Sequence, residues 1–142
     1  MATQYTAGIV QGQKWTAAIA NQIGAAWETW TPTVTAAVGT ITSYAVNSAR
    51  YARIQSIVYV YVDVTVTNNG TGATALYFTM PVTGRAVYLT GGAWREIART
   101  GTTGVMSTIS GTQFEMRTYN NGYPIGANND RVEGLMIYEA VS

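Results

Sequence analysis

The chain has 142 residues with a formal net charge of +1, and only 11% of its residues are charged, under half of the roughly 25% typical of soluble domains. Its one lysine and seven scattered arginines form no basic stripe, so we expect no nucleic-acid partner. It contains no cysteine and no histidine, which removes disulfides, thiolate nucleophiles and the commonest general base and metal ligand. We therefore expect no enzyme, no cofactor and no metal centre.

The N-terminal lead is polar and lacks both the basic region and the apolar core of a signal peptide. No apolar run approaches the roughly 18–20 residues that span a bilayer, so no membrane partner is expected. The sequence predicts a chain that is made in a cytoplasm and is not exported by the general pathway. Residues 1–11 show no periodicity, and we expect them to become ordered only against a partner.

One amphipathic helix is predicted after this lead. Its apolar residues recur at spacings of three and four and gather on one side, as a helix of 3.6 residues per turn requires. They are Trp15, Ile19, Ile23, Trp27 and Trp30. A helix this short is marginal in water and must dock on something. Two alternatives follow: it packs on the chain's own sheet, or it forms an oligomer or capsid contact. Residues 1–30 are thus predicted to be an arm with an anchoring helix.

A long strand is predicted from about Tyr51 to Thr67. Side chains alternate across a strand with period two, which places a set of valines on one face and a polar set on the other. The valines are Val58, Val60, Val62, Val64 and Val66, and the opposite set is Tyr59, Tyr61, Asp63, Thr65 and Thr67. The dry face needs a second apolar surface to cover it, which predicts sheet-on-sheet packing.

The remaining chain also predicts strands, separated by turns rich in glycine and asparagine. The predicted strands span residues 33–37, 40–46, 73–80, 85–89, 94–99, 104–109, 113–119 and 132–140. Short strands at this spacing predict an all-β, antiparallel β-sandwich or jelly roll over residues 31–142.

Two tyrosines on the polar face of the long strand are candidates for a contact. Tyr59 and Tyr61 present rings with a polar edge where threonine or lysine would suffice for a solvated face. We expect a neighbouring subunit or the N-terminal arm to cover them. Together with the five apolar residues of the predicted helix, they form the predicted oligomer or capsid contact.

A second candidate site is the irregular stretch from Gly122 to Asp130, because binding residues concentrate in such loops. Its predicted ligand residues are Tyr119, Tyr123, Asn128, Asn129 and Asp130. The asparagines and Asp130 offer oxygen ligands but only one formal charge, so a turn is favoured over a calcium site. Asp130 and Glu133 are the only carboxylates close in sequence, and surface solvation explains them better than a glycosidase pair.

Four segments together resemble a recurring module of tailed-bacteriophage virion proteins. They read Trp30-Thr31-Pro32-Thr33, Gly39-Thr40-Ile41, Ala49-Arg50-Tyr51-Ala52-Arg53-Ile54 and Leu76-Tyr77-Phe78-Thr79-Met80-Pro81-Val82. They are similar to the "W-T-P-T" start, the entry to a long alternating strand and the "I-x-L-P" exit of that module. The stretch from Gln11 to Glu28 is similar to the short helix that often precedes it, so the resemblance covers roughly residues 6 to 82.

This resemblance implies a virion component without catalytic residues, commonly a trimer. Among such components we expect a homotrimeric capsid decoration protein, since the chain consists of one arm, one helix and one β domain. Its partners would be further copies of itself and the phage major capsid protein or tail proteins, and its location would be the virion. The alternative is a minor tail or receptor-binding protein whose predicted loop site recognises a host-surface carbohydrate.

Overall fold

A computed structural model describes residues 26–85 and 90–141 of the chain. Most of the predicted arm and helix, including Trp15, Ile19 and Ile23, lies outside these described residues, as does most of the strand predicted at residues 85–89. The prediction that the helix continues to Trp30 is wrong for its described end, because Glu28 and Thr29 pair with Tyr51 and Arg50 as a strand. The described part contains nine strands: β1 (Glu28–Thr29), β2 (Val34–Val38), β3 (Ser43–Ile54), β4 (Ile57–Asn68), β5 (Ala73–Thr79), β6 (Thr90–Glu96), β7 (Thr103–Thr108), β8 (Gln113–Thr118) and β9 (Asp130–Glu139).

The strands form one continuous antiparallel sheet in the order β1-β3-β4-β9-β6-β7-β8-β5-β2. The sheet curls into a half-barrel. The prediction of an all-β, antiparallel fold is confirmed, whereas the sandwich or jelly-roll form is not, because strands of a single sheet face one another across the curl. Because the sheet is curled, its own strands cover the apolar face that the sequence analysis expected a second sheet to cover.

The predicted long strand is in fact two strands that form a hairpin. Residues 51–54 belong to β3 and pair back on β4, with Tyr51 opposite Val60 and Ile54 opposite Ile57. The turn is possible because Gln55 adopts the left-handed backbone conformation, with φ of 54°, which non-glycine residues adopt only uncommonly. In one continuous strand Tyr51 would lie on the face opposite the valines, whereas the reversal places it on the same face as the valines, opposite Val60.

Two glycines that the sequence places in a turn lie within β6 instead. Gly91 and Gly92 precede Trp94, and a Cβ at either position would collide with the backbone of β9, at Ile137 and Leu135 respectively. Glycine therefore permits a close approach of two strands here, a second meaning of glycine in a strand. β6 consequently begins four residues before the predicted start.

The core lies inside the curl. All five valines of β4 are fully buried, as the alternation predicts. On the side of the curl that faces β4, Phe78 of β5 stacks on Phe114 of the adjacent strand β8, with ring centroids 5.0 Å apart and an angle of 7° between the rings. Trp30, which directly follows β1, packs edge-on against Phe114 at 6.3 Å. Because β1 and β8 lie toward opposite ends of the sheet, this contact joins the two ends of the half-barrel.

Shortening a core valine should cost far more stability than a change on the other face of the same strand. We expect Val62→Ala to lower the free energy of unfolding by about 1–3 kcal/mol, through lost burial and the cavity left behind. Thr65→Ser, on the opposite face, is the control and should change it little. Urea denaturation followed by circular dichroism measures both, and equal losses for the two variants would contradict this assignment of the faces.

Candidate functional site

The outer face of the sheet, opposite the core, carries a row of neighbouring side chains that crosses five strands. Arg50 of β3 pairs with Tyr61 of β4, and Tyr61 pairs with Leu135 of β9. Leu135 pairs with Ala93 of β6, and Ala93 pairs with Val105 of β7. Leu135 is 49% exposed and Val105 is 37% exposed. Directly paired side chains on one face of a sheet lie close enough to touch, so the row forms a continuous surface.

A second apolar group lies beside this row, toward the β3–β4 hairpin. Tyr59 pairs with Ile137 of β9, and Ile57 pairs with Ile54 at the end of the hairpin. The three isoleucines are each about 40% exposed. Together the two groups make up what we call the outer apolar patch: Ile54, Ile57, Tyr59, Tyr61, Ala93, Val105, Leu135 and Ile137.

The patch contains a depression of about 440 Å³ over β4, β9, β6 and β7. Ala93 lies within it and extends only one carbon above the sheet, while Tyr61, Leu135 and Thr103 are among the longer side chains around it. Arg95 and Glu133 also line the depression and supply charged groups beside its apolar surface. The depression is thus a mainly apolar hollow with charged groups at its margin.

Two carboxylates beside the patch, Asp63 and Glu133, accept hydrogen bonds from neighbouring side chains. Asp63 is buried on the outer face, where Arg131 binds both of its carboxylate oxygens and Asn47 donates a further bond of 3.0 Å. The hydrogen bonds from Arg131 hold the pKa of Asp63 below its usual range, against the effect of burial. The Tyr61 hydroxyl donates to Glu133 at 3.2 Å, and burial, followed by the nearby charges of Asp63 and Glu133, raises the pKa of Tyr61. Asp63 therefore orients the side chains of Arg131 and Asn47, and Glu133 orients the ring of Tyr61.

Trp27 lies on the same outer face. The guanidinium of Arg50 is 5.5 Å from the centre of the Trp27 ring and 5.1 Å from the centre of the Tyr61 ring, so one cation contacts two aromatic faces. Trp30 lies on the other side of the sheet, where its ring packs on Phe114. The structure therefore places the two described tryptophans of the predicted contact on opposite faces.

The residues of the predicted ligand loop are largely engaged in supporting the loop itself. The Tyr123 hydroxyl donates to Asn69 Oδ1 at 2.5 Å, and burial raises the pKa of Tyr123 to about 12. Asn128 Oδ1 accepts from the Asn69 N–H at 2.9 Å, and Asn129 takes a left-handed φ of 67°. The ring of Tyr119, in contrast, is 84% exposed.

Asp130, the last residue of this predicted site, is buried and fully hydrogen-bonded. Arg99 binds both of its oxygens at 3.0 and 2.9 Å, and the N–H groups of Gly126 and Ala127 donate to one of them. The bond from Arg99 contributes most to the lowered pKa of Asp130. The loop is thus tied to the sheet by its own carboxylate, and Tyr119 is its most accessible ring.

Sequence reasoning missed a fully buried carboxylate at Glu96. It accepts hydrogen bonds from the backbone N–H groups of Ala98, Arg99, Thr100 and Gly101 and from the Thr100 hydroxyl. Burial alone would raise the pKa of Glu96, but the bonds from Thr100, Ala98 and Arg99 outweigh it and lower the pKa to about 2. The signal in the sequence was the spacing: Glu96 lies two residues after Trp94 on the same strand, so both side chains point to the same face, which is the core.

The outer residues of β9 were also missed. Leu135, Met136 and Ile137 are three consecutive apolar residues, which breaks the alternation expected when one face of a strand is solvated. Met136 is buried in the core, while its two neighbours point outward and are exposed. This run was the signal in the sequence for an apolar surface on both faces.

No protein-family model, curated protein or solved structure was found to match this chain. Within residues 26–85 and 90–141, no three or more carboxylates are clustered closely enough to hold a metal ion. The same residues contain no helix long and apolar enough to cross a lipid bilayer.

Replacing Glu96 should remove a pH-dependent contribution to stability. Because its folded pKa of about 2 lies below its ordinary 4.5, the ionised carboxylate stabilises the fold fully above pH 4.5 and loses this effect as the pH falls toward 2. We expect Glu96→Gln to lower the free energy of unfolding at pH 7 by about 1–3 kcal/mol, since it weakens several buried hydrogen bonds. Denaturation at pH 7, 4.5 and 3 measures the effect, and a loss that is equal at all three would contradict the assigned shift.

Proposed function

We propose that this protein is a structural component of a tailed-bacteriophage virion, and most specifically a homotrimeric decoration protein of the capsid shell. The outer apolar patch is the observation that carries the proposal. A contiguous apolar surface on a chain with so little charge is suited to packing against other protein. The sequence segments that resemble phage virion modules supply the virion part of the proposal. The curled sheet resembles the predicted sandwich in one respect: it encloses its core between facing strands, as two packed sheets would.

The hydrogen bonds of the buried acidic side chains favour a structural role over catalysis. Asp63, Asp130 and Glu96 are the three buried carboxylates in the described part of the chain, and each is bound by several donors of the chain itself. Their pKa values are lowered, whereas a general acid at neutral pH needs a raised value. These groups stabilise loops and strand edges, as a rigid assembly subunit requires.

The hairpin end of the patch is the proposed contact between copies. Ile54, Ile57 and Ile137 are exposed there, and the first two are paired across the hairpin. Burying such side chains stabilises association without removing charges from water. The trimeric state comes from the resemblance, and the arm, residues 1–14, is the segment proposed to attach the trimer to the major capsid protein.

The oligomeric state can be tested at the hairpin. Light scattering on the purified protein at micromolar concentration should give three times the chain mass of 15.2 kDa. Ile57→Asp should yield monomers, because a carboxylate would be desolvated in the contact. The matched control is Val38→Asp, at a residue of β2 that is 58% exposed and lies outside the patch. A wild-type protein that remains monomeric would refute the trimer.

Attachment and host recognition can be separated with two variants. Deleting residues 1–14 should abolish binding to preformed capsids, because an aperiodic arm gains order only on a partner, while circular dichroism still shows the β domain. Tyr119→Ala removes the one highly exposed ring of the predicted ligand loop and should leave capsid binding unchanged. Capsid and cell pull-down assays on both variants measure this.

The alternative function is recognition of a host-surface carbohydrate, and the 84% exposure of Tyr119 is the observation that favours it. A ring open on both faces can stack on a sugar. Cell binding that survives deletion of the arm and is lost in Tyr119→Ala would replace the capsid proposal with this one.

A further inference from the structure

We propose that two copies of this chain associate face to face across the depression, with a two-fold axis that runs parallel to the strands between β9 and β6. The partner of the depression is thus the same surface of a second copy. This contact uses the middle of the outer apolar patch, whereas the proposed trimer contact uses its hairpin end. The inference therefore does not rest on the virion proposal.

The first argument is the place of the depression in the sheet. β9 and β6 are the fourth and fifth strands in the order of the nine described strands, so they form the middle of the outer face. The sheet curls around its core, which makes this outer face convex. Two convex surfaces meet first at their middle, so a second copy can reach the strands that line the depression.

The second argument is shape. Leu135 of β9 is directly opposite Ala93 of β6, and Leu135 is 49% exposed. Rotation by half a turn around the proposed axis exchanges the places of β9 and β6 and keeps each residue at its height along the strands. Leu135 of each copy therefore lies over Ala93 of the other copy. A large side chain over a small one fills the space between sheets that pack about 10 Å apart.

The third argument is charge. Arg95 of β6 is directly opposite Glu133 of β9, in the row next to Leu135. Glu133 accepts a hydrogen bond from the Tyr61 hydroxyl, and Arg95 belongs to none of the ion pairs among the described residues. The same rotation places Arg95 of each copy over Glu133 of the other copy. One symmetry operation thus pairs large with small side chains and positive with negative charges, as a self-complementary two-fold contact requires.

The neighbouring strands fit the same axis. Tyr61 of β4 and Val105 of β7 lie in the row of Leu135, and the rotation places Tyr61 of one copy over Val105 of the other. Arg50 and Arg117 would also face each other, but they lie one strand farther out, where the curl separates the two surfaces. The contact is therefore small, and we expect a dissociation constant on the order of 100 μM.

Charge reversal gives a direct test, with Ile57→Asp present in every chain to remove the hairpin contact. In sedimentation equilibrium the mass should rise from 15.2 kDa to twice that value as the concentration passes about 100 μM. Arg95→Glu and Glu133→Arg should each raise the dissociation constant at least about tenfold, because each places like charges opposite each other twice. An equimolar mixture of the two variants should restore the dimer, because every facing pair then has opposite charges.

A second pair of variants tests the shape of the contact. Leu135→Ala should weaken the dimer at least about fivefold, because the depression of the facing copy is left unfilled. Val38→Ala, on β2 and outside the depression, is the matched control and should associate as the parent does. Circular dichroism checks that each variant keeps its β-sheet.

Three results would overturn the inference. They are a parent that stays monomeric up to about 1 mM, charge-reversed variants that associate as strongly as the parent, and a mixture that associates no better than its components. Each would leave the depression to a different partner. A mass of three chains in the Ile57→Asp background would count against the hairpin as the trimer contact, whereas the mixture of charge-reversed variants decides the two-fold contact.

Discussion

The structure depends on the alternation of side chains along β4, which gives the strand one buried face and one outer face. Its five valines are fully buried in the core, and the strand pairs with β9 from Ile57 to Val66 and with β3 from Ile57 to Asn68. The register that aligns the valines with Val132, Met136 and Tyr138 on the inner side necessarily aligns Tyr59 and Tyr61 with Ile137 and Leu135 on the outer side. Because a shift of one residue would exchange the two faces, the burial of the valines also fixes the composition of the outer apolar patch.

The small number of charged residues is the second constraint on this surface. Asp63, Asp130 and Glu96 are bound by arginines or by backbone N–H groups, and Arg117 pairs with Glu115 at 2.8 Å. Buried carboxylates of this kind stabilise the fold only while all their donors are in place. Asp130 and Glu96 therefore bind the loops at the ends of their strands, whereas Asp63 lies within β4 on the outer face, where Arg131 neutralises it beside the apolar patch.

The sequence was sufficient to predict most strands of the described residues, the antiparallel class and the faces of β4, because each depends on the local alternation of side chains. It did not predict β1, whose residues were assigned to the helix. It was not sufficient to predict the curl. A sandwich and a half-barrel bury the same valines, and only long-range contacts such as that of Trp30 with Phe114 distinguish them. The hairpin at Gln55 escaped prediction because its conformation is one that glycine usually supplies. At Gly91 and Gly92 the opposite error occurred, since glycine was needed for the approach of β6 to β9.

In the candidate sites, too, features set by local alternation were predictable and features set by long-range contacts were not. The place of Tyr59 and Tyr61 on the outer face was predictable, because alternation along a strand fixes the face of each residue; the contact expected of them stays a prediction. Tyr123 and Asp130 were predicted to form a ligand site, but their type and spacing cannot distinguish a group offered to a ligand from one bonded to Asn69 or Arg99. That distinction depends on hydrogen bonds between residues 31 to 54 positions apart.

The two ends of the outer apolar patch differ in chemistry. The depression near Leu135 and Ala93 has the charged groups of Arg95 and Glu133 at its margin. The hairpin end consists of the exposed aliphatic side chains of Ile54, Ile57 and Ile137. Association through the hairpin end would therefore bury aliphatic side chains and leave the charged groups beside the depression in water, which avoids the cost of desolvating an ion.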